Sequence, residues 1–219
     1  MKVIIMGSTG MIGNGVLIEC LEDNSIDEVL VINRRATNQT HSKVKEIVHE
    51  DFSDFSSLSN QLKDYDACFF CLGVSAAGMS EEQYRKITYD LTLGFAKILV
   101  ETSPNCVFTY VSGAGTDSTE KGRSMWARVK GKTENDLLKL PFKDAYMFRP
   151  GYIQPRKGVK SRTTLYNTLY LFFKPLYFLL KHFKGFVTDS VSLGRAMINV
   201  VQKGYEKKIV ESRDINTLK

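Results

Sequence analysis

The residues best placed to do chemistry stand near the start of the chain, as Gly7-Ser8-Thr9-Gly10-Met11-Ile12-Gly13. They follow a short apolar run, Lys2–Met6, and open a stretch with helical spacing, Met11–Leu21. Glycine at a strand-to-helix turn lets the backbone fold tightly and approach a phosphate, whose charge then sits on the helix N-terminus. Glycines at any one spacing are weak evidence, but the strand before them and the apolar helix after them are the confirming context. The chemistry implied is capture of a dinucleotide's pyrophosphate, with Thr9, Met11 and Ile12 as candidate contacts beside Gly7, Gly10 and Gly13.

A second feature lies at the end of the next apolar run, which reads Val31-Ile32-Asn33-Arg34-Arg35. In NAD-dependent proteins an acid at this point binds the adenosine ribose hydroxyls. Here there is none. Two guanidinium groups would instead attract a 2′-phosphate and could stack on adenine, so NADP(H) is the expected cofactor ahead of NAD(H). The plainer reading is that both arginines are merely exposed surface residues.

These groups need elements to hold them. Strand-like runs at Lys2–Met6, Val29–Asn33, Val44–Val48, Ala67–Leu72, Val107–Ser112 and Ala145–Arg149 alternate with helical stretches. The stretches include a polar one near Phe55–Leu62, one from Ser80 to about Glu101, and Gly122–Leu140 before Pro141. Ala67–Leu72 is nearly all apolar, as a central parallel strand buried on both faces should be. The alternation implies βαβ units, and right-handed crossovers leave the doubly wound α/β sheet of the Rossmann type as the natural fold. Residues 1–155 form the NAD(P)-binding core on this reading. Residues 156–187 form a small helical cap or substrate-side segment, and 188–219 a C-terminal helix and short strand returning to the core. Leu165–Phe183 is too broken by Lys174-Pro175 for a membrane span, although its basic flanks would also suit a membrane-surface helix.

Gly7-x-x-Gly10-x-x-Gly13 with this strand order resembles the short-chain dehydrogenase/reductase superfamily. Within it, the chain is similar to the atypical epimerase-like branch, which includes Tat-interactive-protein-like and NmrA-like NAD(P)-binding proteins. Asp51-Phe52, Cys71-Leu72-Gly73, Ser112, Lys130 and Arg149-Pro150-Gly151 carry the rest of the likeness, over about residues 1–155 and weakly at 188–202. The resemblance implies that Asp51 and Phe52 flank the adenine and that Gly73 and Val74 let the chain pass close to the adenosine ribose. It further implies that Ser112 orients a substrate oxygen and Lys130 binds the nicotinamide ribose. Pro150, Gly151 and Tyr152 would approach the nicotinamide.

One departure from the family pattern matters more than the matches. The acid–base tyrosine of the superfamily lies four residues before the lysine, and here that place holds Trp126 in Trp126-Ala-Arg-Val-Lys130. An indole N–H donates a hydrogen bond but does not titrate near neutral pH, so it cannot be a general acid or base. Tyr84, Tyr110 and Tyr152 are conceivable replacements. Two readings follow. The chain is either an NADP-dependent oxidoreductase or epimerase-like enzyme acting on a small carbonyl or hydroxyl compound, or a non-catalytic dinucleotide-binding regulatory or sensor module read by a protein partner.

Bulk properties narrow the field. The 219 residues suit one domain with a modest appendage, and the charge of +6 is unaccompanied by any nucleic-acid-binding signature. Cys68 and Cys71 have C-x-x-C spacing, but on a strand they point to opposite faces and cannot chelate one metal. His41, His49 and His182 are scattered, so no metal site is expected. The start carries no basic segment followed by an apolar one, so secretion is not expected, and the four cysteines are read as reduced thiols of a cytoplasmic protein.

Overall fold

The run Ala67-Cys68-Phe69-Phe70 has no polar residue on either face, and in the computed structural model all four lie buried at the centre of a sheet. The structure describes residues 1–37, 40–159 and 185–219. The strands there are β1 (Lys2–Met6), β2 (Glu28–Asn33), β3 (Val44–Val48), β4 (Ala67–Phe70), β5 (Val107–Val111) and β6 (Asp144–Arg149). They are followed by β7 (Tyr152–Gln154), β8 (Val187–Asp189) and β9 (Ile209–Glu211). One sheet runs in the order β3-β2-β1-β4-β5-β6-β9 with all neighbours parallel, while β7 and β8 form a separate parallel pair.

The helices are α1 (Met11–Glu22), α2 (Glu81–Arg85), α3 (Leu91–Thr102), α4 (Met125–Leu137), α5 (Ser190–Lys203) and α6 (Ser212–Leu218). They cover both faces of the sheet, and the two-residue period of each strand divides the core between them. Val3, Ile5, Val29, Val31 and Phe69 pack with Val16, Leu17 and Cys20 of α1 and Leu193, Met197 and Val200 of α5. Ile4, Met6, Leu30, Ile32, Cys68 and Phe70 pack with Phe95 and Leu99 of α3 and Leu137 of α4. Cys68 and Cys71 fall on opposite faces of the sheet, and the four cysteines are free. The fold is the doubly wound Rossmann type, with a helical C-terminal segment.

Several boundaries differ from those read in the sequence. The helix expected from Ser80 onward is divided by a π-helical turn, Lys86–Asp90, which separates α2 from α3. The Ser80 start itself is a complete capping box, with Ser80 and Gln83 satisfying each other's backbone N–H. α4 begins at Met125 rather than Gly122, because the Asp117 carboxylate takes the Gly122 N–H at 2.6 Å and holds that residue in the preceding loop. The stretch near Phe55–Leu62 is a 3₁₀ helix, Ser56–Gln61. The Leu165–Phe183 cap lies outside the described residues. Among the described residues no helix is long and apolar enough to cross a membrane, and no group of three or more His, Cys, Asp or Glu side chains is placed to hold a metal ion.

Candidate functional site

Strand order reverses direction between β1 and β4, and an open α/β sheet has its crevice at such a switch point, outside the carboxyl ends of the strands. A cleft of about 1080 Å³ lies there. Its lining brings together Gly7, Thr9, Gly10, Arg34, Arg35, Phe52, Gly73 and Val74, along with Asn33, Glu50, Ile87 and Leu91.

The turn that opens α1 has the shape a dinucleotide needs. Gly7 has φ +82°, and a Cβ on it would lie 3.0 Å from the Leu72 backbone and side chain. A Cβ on Gly13 would collide with the Gly7 carbonyl. The helix N-terminus at Gly10 has no side-chain cap and no acid in its first turn, so among the described residues no side-chain cap or first-turn acid competes there with an incoming anion. Met11 and Ile12 turn their side chains onto the core, so any contact of theirs with a phosphate would come through the backbone.

Arg34 and Arg35 are exposed on the cleft rim, and the Arg34 guanidinium lies 6.0 Å from the centre of the Phe52 ring. The guanidinium thus stands over the aromatic face at this end of the cleft. Asp51 is bonded within its own turn. Its carboxylate accepts the Ser53 N–H at 2.8 Å and the Ser53 hydroxyl at 2.5 Å, which holds it below the usual carboxylate range and in a local turn. Its neighbours Glu50 and Phe52 line the cleft instead.

The residues expected at the nicotinamide end gather around the end of β5. Ser112 is buried, its hydroxyl 2.5 Å from Oε1 of Glu134 and 3.1 Å from the Phe148 carbonyl. Glu134, fully buried on α4, also accepts two bonds from Arg149 through Nε and a close one through Nη2. The Lys130 ammonium donates to the Ser112 carbonyl. Ser112, expected to orient a substrate oxygen, thus spends its hydroxyl on a buried charge cluster.

Burial pushes the Lys130 amine down to about 8, against the opposing charge of Glu134. A group titrating there can exchange a proton at physiological pH, which the Trp126 indole cannot. The Trp126 ring lies against the loop at Gly115, where a Cβ would be 3.4 Å from it. The candidate substitute acids are poorly placed. Tyr84 and Tyr110 are buried, with phenols raised by desolvation, and the Tyr152 hydroxyl donates to Gln154 at 2.9 Å.

Pro150 and Gly151 follow β6, beside the Ser112 loop. The Pro150 carbonyl accepts the Ala114 N–H at 2.8 Å, and Gly151 donates to the Ser212 hydroxyl at 2.8 Å. A side chain on Gly151 would run into Phe186, so this glycine serves the packing of β7 on β8. Sequence reasoning missed Glu134 and its pairing with Arg149. The available signal was spacing, because Trp126, Lys130 and Glu134 stand at i, i+4 and i+8 on one helix face.

A doubly wound sheet with this glycine turn and a cleft across the switch point defines a Rossmann-type protein built to bind a nicotinamide dinucleotide. The chain belongs to the NAD dependent epimerase/dehydratase family, whose model matches residues 3–124. The mitochondrial protein FMP52-1 of Scheffersomyces stipitis is 26% identical over 234 residues, covering all of this chain and 98% of that one. The mitochondrial protein FMP52 of Saccharomyces cerevisiae is 32% identical over 155 residues, covering 69% of this chain and 65% of that one. Among solved structures, the Bordetella bronchiseptica enzyme WbmF in complex with NAD+ superposes with a TM-score of 0.68 at 14% identity, covering 99% of this chain and 76% of that one. At that identity the likeness shows the fold. The mitochondrial names of the relatives overturn the expectation of a cytoplasmic protein.

Proposed function

We propose that the chain binds NADP(H) in the cleft between β1, β2 and β4, in preference to NAD(H). The observation that carries this reading is the rim itself: Arg34 and Arg35 line it, and the position before them is Asn33 where an NAD-dependent protein has an acid. The turn from Gly7 to Gly13 would take the pyrophosphate, Arg34 and Arg35 the 2′-phosphate, and Phe52 the adenine. Gly73 and Val74 would lie beside the adenosine ribose, and Lys130 would reach the nicotinamide ribose. When bound, the dinucleotide supplies hydride chemistry.

An oxidoreductase or epimerase-like enzyme would also need a group that moves a proton at the substrate oxygen. Trp126 cannot do so, Ser112 is engaged by Glu134, and the Lys130 amine, although it titrates near 8, is held on the Ser112 carbonyl. This favours the reading in which the chain binds the dinucleotide without performing ordinary carbonyl reduction. The names of the relatives point to a mitochondrial setting for that role.

Calorimetry with NADPH and NADH on the wild type and on Arg34→Ala tests the cofactor choice. A charge-assisted phosphate contact is worth about 1.5–3 kcal/mol, so NADPH should bind roughly tenfold or more tightly than NADH, and Arg34→Ala should remove much of the difference. Equal wild-type affinities would overturn the reading.

A further inference from the structure

A hydrogen-bonded chain at the end of β2 reaches from the glycine turn to the arginine pair, and its charged member comes from the neighbouring strand. The Ser8 hydroxyl donates to Asn33 Oδ1 at 2.9 Å, with both residues buried. Asn33 Nδ2 donates to Oε1 of Glu46 on β3, also at 2.9 Å. The same carboxylate accepts the Thr37 N–H at 3.0 and 3.1 Å and the Thr37 hydroxyl at 2.7 Å. The segment that carries Arg34 and Arg35 is thus tied at both ends to one carboxylate.

Asn33 is suited to this chain in a way an acid would not be. Its amide accepts from Ser8 with the oxygen and donates to Glu46 with the nitrogen. An ionised carboxylate at 33 could only accept, and would face Glu46 with a like charge. The residue that removes the ribose-binding acid therefore also links the pyrophosphate turn to the arginine segment.

We infer that Glu46 is a positioning residue for cofactor choice, holding the Arg34–Thr37 segment so that its guanidinium groups meet a 2′-phosphate at the adenosine end of the cleft. Two exposed arginines on a loose segment must be ordered when they bind, and that ordering opposes affinity. A segment clamped before and after the pair has already lost much of that freedom. The inference rests on the NADP(H) reading above.

The sign of the effect makes the inference testable. Glu46 carries the same charge as the phosphate, so as a mere neighbour it would weaken NADPH binding, and its neutralisation would strengthen it. As a clamp it does the reverse. Glu46→Gln keeps the side-chain volume and an accepting oxygen at the Oε1 place, but removes the charge and puts an amide N–H where Oε2 meets the Thr37 N–H.

Calorimetry on the full chain with NADPH and NADH, together with thermal midpoints without cofactor, reads the outcome for the wild type, Glu46→Gln and Thr37→Val. Glu46→Gln is expected to lose about tenfold in NADPH affinity, the scale of one charge-assisted contact, with NADH changed by less than about twofold. Thr37→Val should move the ratio in the same direction by a smaller factor, and it decides the matter if Glu46→Gln does not fold. Unchanged or tighter NADPH binding, or equal loss of both cofactors, overturns the role of Glu46 while leaving the wild-type preference standing. A wild type with no preference for NADPH overturns the NADP(H) reading, and this inference with it.

Discussion

The Ser112 hydroxyl lies 2.5 Å from the Glu134 carboxylate, so the serine at the end of β5 belongs to the protein's buried charge cluster. That carboxylate is already matched by Arg149, which grips it through Nε and Nη2 while Nη2 also donates to Ser118 at 2.5 Å. The arrangement joins α4, β5, β6 and the loop before α4 at one point. Its energetic character is that of a buried ion pair: removing one partner is far more damaging than the pair is stabilising, because the other charge is left buried and alone.

Glu134→Leu should therefore destabilise the protein strongly, by about 3–5 kcal/mol, because Arg149 in a nearly buried setting keeps only the half-exposed Glu211 at 3.8 Å as counter-charge. Glu134→Gln should cost less, since the amide oxygen still accepts from Arg149 or Ser112. Urea unfolding of both variants measures the difference. A loss of less than about 1 kcal/mol for Glu134→Leu, the range of an exposed pair, would show that the cluster is not buried as described.

The wild type should reduce simple carbonyl compounds very slowly or not at all with either nicotinamide cofactor. Hydride addition builds negative charge on oxygen, and a positioned proton donor is worth about 10²–10⁴ in rate. Trp126→Tyr would place a phenol four residues before Lys130, whose partly neutral amine could support it. That variant should gain measurable reductase activity with its NADPH affinity unchanged. A wild type that turns over at ordinary enzyme rates, and is indifferent to changes at Trp126, would disprove the account of this half of the site.

The sheet, the glycine turn and the arginine pair were all legible in the sequence for one reason: each is a local pattern with a local cause. Apolar runs such as Ala67–Phe70 report burial on both faces, and Gly7 and Gly13 report a backbone that must pass close to another. What escaped was cooperation between distant segments. Glu134 lies 22 residues from Ser112, and Glu46 lies 13 from Asn33, and nothing in either short window marks a carboxylate as buried and shared. Asp51 shows a local tie that the motif position did not suggest. The motif position suggested an adenine contact, while the following Ser53 offered a nearer pair of donors and took the carboxylate into a turn.

Gly13→Ala should abolish binding of NADH and NADPH alike. The added methyl would meet the Gly7 carbonyl, which is backbone and cannot swing aside as a side-chain tip could. The turn would have to open, separating the N–H groups at the start of α1 from the phosphate they face. Fluorescence titration with both reduced cofactors checks this, and circular dichroism confirms that the sheet persists. Retained binding of either cofactor would show that the turn is not where the pyrophosphate sits.

Lys130 should make stability rise with pH in the alkaline range. Burial lowers its ammonium from 10.5 to about 8, the Glu134 charge opposing the shift. The unfolded chain therefore holds this proton more tightly than the native one between those two values, so unfolding takes a proton up and is disfavoured as pH rises. Below about pH 8 both states are protonated and the native state bears the full, constant cost of a buried charge. Between about pH 8 and 10.5 that cost is progressively relieved, as the neutral amine replaces the ammonium. Lys130→Met removes the titration while keeping an unbranched side chain of similar length. Urea unfolding of both proteins across this range should show the difference between them moving in the wild type's favour as pH increases. A difference that stays flat, or moves the other way, would mean that the Lys130 amine is solvated and titrates near its ordinary value. It would then lack the tuned proton that makes it the plausible partner for a tyrosine at position 126.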